Sequence, residues 1–222
     1  MKDFDAIAFD LDGTLYADWR FYMKLIPYTV INSPLLFAFG RARSTLRKSG
    51  DFGDFHKKQA ALCAEYLGIT ESEAYNKLQK NIYDYWPHKF KNIELYPHVL
   101  ETLKLFKKCG LKLGILSDFR LKYKIENLNL ENIFDAELST GDVGALKPHK
   151  QPFLELAGRL NTNTQRILYV GNHYKYDILG AKNAGFGAAA LICRNPFKNL
   201  KNFKSADFIF KDYRQLQRFV LE

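Results

Sequence analysis

The sequence predicts an α/β fold, a parallel sheet with helices on both faces, joined to a second and smaller all-helical domain. Three features carry the prediction. Short apolar runs of the kind that form buried parallel strands recur along the chain, helical periodicities lie between them, and a long stretch after the first run holds no convincing strand.

The first run, Phe4 to Phe9 (FDAIAF), ends in acidic residues and Gly13, as a buried strand ends in a loop. Four more follow: KLGILS at 112–117, RILYVG at 166–171, GAAALIC at 187–193 and DFIF at 207–210. Between them, Val99, Leu100, Leu103 and Phe106 recur at helical spacing after Pro97, and Cys109-Gly110 closes that stretch. Phe153, Leu154, Leu156, Ala157 and Leu160 form a second helical face; Ile178, Leu179 and Ala181 form a third before Gly185. Alternation of this kind builds βαβ units.

Residues 17–92 break the alternation. Thr70 and Glu73 have capping-box spacing and open a helix expected to run to about Trp86-Pro87. His56 to Leu67 reads as another, stopped by Gly68, and residues 19–48 as one or two more, interrupted by Pro27 and Pro34. The expected organisation is a core of residues 1–16 and 93–222 carrying a helical domain of residues 17–92, with linkers near 15–18 and 90–96.

Composition narrows the function. At 222 residues, with 47% hydrophobic and 26% charged residues, the chain has room for one good core plus a satellite, and none for a disordered or collagenous protein. Aromatics at 15% suit a well-filled core or an aromatic-lined pocket. Cys63, Cys109 and Cys193 form no CxxC pair, which argues against a disulfide framework or a cysteine zinc site and for a reducing compartment. Asp3 and Asp5 stand where a signal peptide needs basic and then apolar residues, so a cytosolic location is expected. The formal charge is +9, unevenly spread: residues 1–19 hold five acids and one base, residues 20–60 eight bases and two acids. No zinc-finger or RRM signature accompanies the charge, which leaves nucleic acid a minor hypothesis.

The chemistry gathers at the ends of the apolar runs. Asp10 and Asp12, in Asp10-Leu11-Asp12-Gly13-Thr14, follow the first; residues i and i+2 of a strand point the same way, so both carboxylates can face one reacting centre. Two acids there repel unless a cation accompanies them. A calcium loop of the EF-hand type would need a bidentate Glu at its twelfth position, and counting from Asp10 that position is Phe21. Ser117-Asp118 ends the second run, where a hydroxyl and the following amides suit phosphate oxygens. Lys147-Pro148 precedes a helix, and Gly171-Asn172 through Asp177 ends the third run.

Together these residues resemble the haloacid dehalogenase-like (HAD) hydrolase superfamily over nearly the whole chain. DLDGT at 10–14, Ser117, Lys147 and the GNxxxxD of 171–177 occur in the family's order, and the connecting text is similar at 95–119, 139–148 and 177–186. The resemblance implies a Rossmann-like core, with the helical insertion as a C1-type cap. Two departures stand out: Asn172 where the family usually has Asp, and Lys150 in place of a common Pro.

The resemblance also implies roles. Asp10 attacks phosphorus to form an aspartyl-phosphate; Asp12 protonates the leaving oxygen and then deprotonates water. Asp10, the Asp12 backbone carbonyl and Asn172 hold Mg²⁺, while Thr14, Ser117 and Asp118 hold phosphate. Lys147 balances negative charge, and Asp177 orients Lys147 or a metal-bound water or serves as an alternative ligand. The true dehalogenases lack the second Asp, so Asp12 favours phosphoryl transfer. The expected activity is Mg²⁺-dependent hydrolysis of a small-molecule phosphomonoester. A phosphomutase on the same residues is one alternative, and a catalytically weak or non-enzymatic binding member, suggested by Asn172, is another.

One segment is left over. Leu25 to Phe39 has no charged residue, Arg41, Arg43, Arg47 and Lys48 follow, and no acid lies between Asp18 and Asp51. The plainer reading is packing against the core with a solvated basic face. The sharper one is recognition of an amphiphilic or multiply anionic phosphate, or contact with an anionic membrane surface.

Overall fold

The computed structural model describes residues 3–49, 53–195 and 199–222. Six strands form one parallel sheet: β1 (Ala6–Phe9), β2 (Lys112–Ser117), β3 (Ala136–Ser139), β4 (Ile167–Gly171), β5 (Ala188–Ile192) and β6 (Phe208–Phe210). Their order is β3-β2-β1-β4-β5-β6. β1 therefore lies between β2 and β4, with Phe9 opposite both Ile115 and Val170. β3 was not anticipated. Its AELS sequence has one exposed acid and too few apolar residues to stand out, and its pairing with β2 makes it a strand.

The sheet buries both faces. Ile7 and Phe9 of β1 join Ile115 and Val170 on one side, where α6 (Val99–Lys108), α7 (Lys122–Asn127) and α10 (Tyr213–Leu221) pack. Ala6 and Ala8 face the other side, with α8 (Lys150–Arg159) and α9 (Leu179–Asn183). Burial of side chains such as Phe106 and Phe153 contributes about 1.5–3 kcal/mol each.

Between β1 and β2 run α1 (Asp18–Ile31), α2 (Ser33–Leu46), α3 (Phe55–Leu67), α4 (Glu71–Leu78) and α5 (Tyr85–Lys89). Thr70 and Glu73 form the expected capping box, and Gly68, at φ 65°, ends α3. The long helix read from Thr70 is instead divided: a π-helical turn, Gln79–Tyr83, separates α4 from α5. Pro34 starts α2 as expected, but Pro27 lies inside α1 without ending it. Pro27 is exposed, so the hydrogen bond it removes is lost on the solvent side. The segment's two connections meet where Tyr16 bridges Leu95, and its apolar side chains run on from the sheet as one continuous cluster.

Candidate active site

The sequence-marked residues converge at the carboxyl ends of β1, β2 and β4, where the strand order reverses and ligands bind in open α/β sheets. Asp10 is fixed first by its backbone, whose N–H donates to the Val170 carbonyl at 2.8 Å. Its buried carboxylate then accepts from Thr14 Oγ1 at 2.7 Å and from Lys147 Nζ at 2.6 Å. Lys147 Nζ also donates to Asp177 Oδ1 at 2.7 Å, and Asp177 Oδ2 accepts from the His173 N–H at 2.9 Å. One lysine thus serves two buried carboxylates. Burial pushes the Asp10 carboxyl up to about 7; Lys147 opposes the rise, and Asp177 and Asp12 add to it. Burial would lower Lys147, but Asp10 and Asp177 outweigh it and hold the ammonium well above its usual range.

Gly13 makes the turn after Asp12 at φ 82°, and a Cβ there would lie 2.0 Å from Asn172 Nδ2. Gly171 leaves room beneath Asp177, whose Cβ stands 2.3 Å from where a second Cβ would be. Gly13 therefore answers to close approach of the two loops, and Gly171 to the turn that brings Asp177 back over the end of β4.

Asp12 has different company. Its carboxylate accepts from Lys124 Nζ at 2.5 and 2.7 Å, from the Tyr16 hydroxyl, and from Ser117 Oγ at 3.1 Å. Burial alone would raise this carboxyl, but Lys124, Tyr16 and Ser117 hold it below the usual range. Lys124 is itself buried, on α7, and nothing in the local pattern KYKIEN marks it as a site residue. The Ser117 hydroxyl is committed to Asp12 and accepts from the Phe119 N–H at 3.1 Å.

The expectation that Asp118 helps to hold phosphate rests on the amides that follow β2, since its side chain is engaged elsewhere. The carboxylate accepts from Arg47 and from Thr140 Oγ1 at 3.1 Å, and Arg43 stands 3.5 Å away. Burial would raise its carboxyl, but Arg47, Lys147 and Arg43 bring it down to about 2. An ionised carboxylate has no proton to donate and repels a phosphate; here it anchors two arginines of α2 and its C-terminus. The basic run after residue 40 was visible in the sequence, but its solvated face was expected, and Arg43 is buried instead.

Around these groups lies a cavity of about 180 Å³, lined by Asp10, Asp12, Lys147, Asn172 and Asp177 on one side and by Asp18, Tyr22 and Arg47 on the other. Arg47 Nε also donates to the Lys147 carbonyl at 3.0 Å, so the helical segment closes directly on the sheet edge. Asp18, a further carboxylate in the cavity, has no sequence marker. Among the described residues no group of three His, Cys, Asp or Glu side chains stands ready to hold a metal. The Asp10 carboxylate, Asp12 carbonyl and Asn172 amide form a different set, all hard oxygens, which suits Mg²⁺. The Asn172 side chain makes no hydrogen bond among the described residues and lines the cavity beside Gly13, which leaves its amide available to an ion.

Comparison with known proteins shows the family. Residues 4–185 match the profile of the haloacid dehalogenase-like hydrolases, and the chain belongs to that family. It is 26% identical over 218 residues to a glyceraldehyde 3-phosphate phosphatase of Methanocaldococcus jannaschii, covering 95% of this chain and 94% of that one. It is also 26% identical over 231 residues to a phosphoglycolate phosphatase of Mannheimia succiniciproducens, covering 99% of each. In fold it is similar to a 2-haloacid dehalogenase from Pseudomonas syringae pv. Tomato DC3000, with a TM-score of 0.70, 23% identity and 98% of each chain covered.

Proposed function

We propose that this chain is a Mg²⁺-dependent phosphatase acting on a small organic phosphomonoester. The carrying observation is Asp10: a buried carboxylate at a cavity floor, held between Thr14 at 2.7 Å and Lys147 at 2.6 Å. That arrangement leaves a nucleophile fixed in place beside the cation that offsets its charge as a phosphate approaches. The names of the relatives, phosphatases of glyceraldehyde 3-phosphate and phosphoglycolate, support the same substrate class.

In the reaction, an Asp10 oxygen bonds to phosphorus as the ester P–O bond breaks, and the leaving oxygen takes a proton from Asp12. Asp12, again a carboxylate, then removes a proton from the water that displaces Asp10 and releases inorganic phosphate. Lys124 favours the ionised form of Asp12, which suits the second half; in the first half Asp12 has to enter the complex already protonated. Asp10, the Asp12 carbonyl and Asn172 would hold Mg²⁺, which when bound neutralises the nucleophile against the phosphate dianion. Thr14 and Ser117 supply hydroxyls to the phosphate after leaving their present carboxylate partners. Asp177 keeps Lys147 in position.

Residues 17–92 act as the cap, with Arg47 as its cation at the cavity. A cavity of about 180 Å³, below the ~300–1,000 Å³ of sites for drug-sized ligands, fits a substrate of a few carbons. Asp12 favours phosphoryl transfer over carbon–halogen cleavage. Phosphate release from phosphoglycolate, glyceraldehyde 3-phosphate and a panel of sugar phosphates, with Mg²⁺ and with EDTA, tests the reading. Turnover that EDTA removes is expected. Inactivity across the panel sinks it, and transfer between positions of one sugar without phosphate release replaces it with a phosphomutase.

A further inference from the structure

The helix α1 is apolar on two sides. At 100° per residue, Phe21 and Leu25 share its inner face and are buried. Trp19, Tyr22, Met23, Ile26 and Val30 fall on the opposite side within an arc of about 100°. That outer stripe has no partner among the described residues: Trp19 is 61% exposed, Met23 57% and Val30 75%. At the tip of the α1–α2 hairpin Ile31 is 81% exposed, and Phe37 on α2 is 67% exposed. With full areas of roughly 150–250 Å² for large side chains, the five stripe residues, neighbours at i+3 and i+4 spacing, present about 550 Å² of apolar surface, at the upper end of the ~300–600 Å² of the largest patch on a typical monomer, and Ile31 and Phe37 add to the apolar surface of the hairpin.

Charge identifies the occupant. Residues 19–50 contain six Arg and Lys and no acid. Arg43 and Arg47 turn inward to Asp118, Arg20 pairs with Glu94 and Lys24 donates to the Lys91 carbonyl, which leaves Arg41 on α2 and Lys48 just beyond it exposed without a carboxylate partner among the described residues. Arg41 stands 5.8 Å over the exposed Phe37 ring. A second copy of this chain would bring one basic, acid-free hairpin against another, whereas an anionic surface would satisfy it. Trp and Tyr beside aliphatic side chains, flanked by lysine and arginine, are suited to the boundary between lipid headgroups and acyl chains. No helix among the described residues is long and apolar enough to cross a membrane, so the contact is with its surface.

We propose that the outer face of α1 and the tip of the α1–α2 hairpin dock on an anionic lipid surface. The inference stands independently of the reaction. Because Tyr22 belongs to both the stripe and the cavity lining, docking sets the mouth of the cavity at the lipid interface.

Co-sedimentation of the full chain with phosphatidylcholine vesicles, with and without phosphatidylglycerol, tests it at low and high salt. Binding that needs phosphatidylglycerol and weakens with salt is expected, together with a blue shift of tryptophan emission that Trp19→Phe abolishes. The double variant Val30→Glu with Ile31→Glu should lower the affinity at least ~10-fold while its melting temperature and its turnover of p-nitrophenyl phosphate stay as in the parent. No binding to phosphatidylglycerol vesicles at low salt overturns the proposal, as does binding that the double variant retains. A dimer by light scattering that Ile26→Glu converts to monomer, with no vesicle binding, overturns it in favour of self-association.

Discussion

Asp10 and Asp12 lie two residues apart on one loop, yet occupy opposite electrostatic settings. Asp10 shares Lys147 with Asp177, two buried carboxylates on one ammonium, and its carboxyl is pushed up to about 7. Asp12 has Lys124 to itself, with Tyr16 and Ser117 as further donors, and stays below its usual value. The difference shows that residue type does not assign roles here. Sharing Lys147 and having Lys124 alone push the two carboxyls in opposite directions, and the proposed roles, an ionised nucleophile and a protonated acid, require bound cation and phosphate to reverse that order.

The strongest test of that contrast is Asp10→Asn. Loss of the attacking carboxylate should lower turnover by at least ~10³-fold, measured as phosphate release. Stability should move the other way. A folded-state pKa near 7, above the unfolded value, means that the Asp10 contribution is present in acid and lost as pH rises through 7. The amide should therefore melt at a higher temperature than the parent at pH 8; a lower melting temperature would contradict the raised carboxyl.

Lys124→Met removes the cation from the other side. Asp12 should then titrate higher, moving the acid limb of the pH–rate profile upward, with turnover down about 10²-fold. A buried carboxylate left without its partner costs about 3–5 kcal/mol, so melting should be followed beside the kinetics.

A smaller effect is expected at Asn172. Restoring a carboxylate with Asn172→Asp should tighten Mg²⁺ about 10-fold, read by calorimetry without and with a phosphate analogue. Equal affinities would remove position 172 from the metal site. The smallest effect concerns Asp118, outside the pair. Its carboxyl at about 2 lies below the unfolded value, so its contribution is present above pH 4 and lost as pH falls towards 2. Asp118→Asn should flatten the acid side of the stability profile by about 2 kcal/mol, measured by urea unfolding at several pH values.

The strands β1, β2, β4, β5 and β6 were legible because buried parallel strands are nearly unbroken apolar runs, and so were the motifs at their tips. β3 was not, since pairing with β2 rather than apolar content makes it a strand. Pro27 misled because the rule that proline breaks helices loses its force on a solvent-facing side. Lys124 and Asp18 were invisible for another reason. Each reaches the site from an element whose local sequence is unremarkable, and only the packing of α7 and the start of α1 against the β1 loop shows what they meet. Arg43 and Arg47 were seen as charge but not as structure, because a basic run does not say which of its members turn inward.

β1 pairs at Ala6 with Lys112 on one edge and with Ile167 on the other. The strand that leads to Asp10 is therefore made before both of its neighbours and waits for the second until β4 follows at Ile167. Closing loops of that length makes sheet assembly slow and leaves an apolar strand with two open edges in every nascent chain that ends before β2. A truncated product ending between β2 and β4 would keep one such edge bare, which makes aggregation, rather than a soluble half-protein, its expected fate.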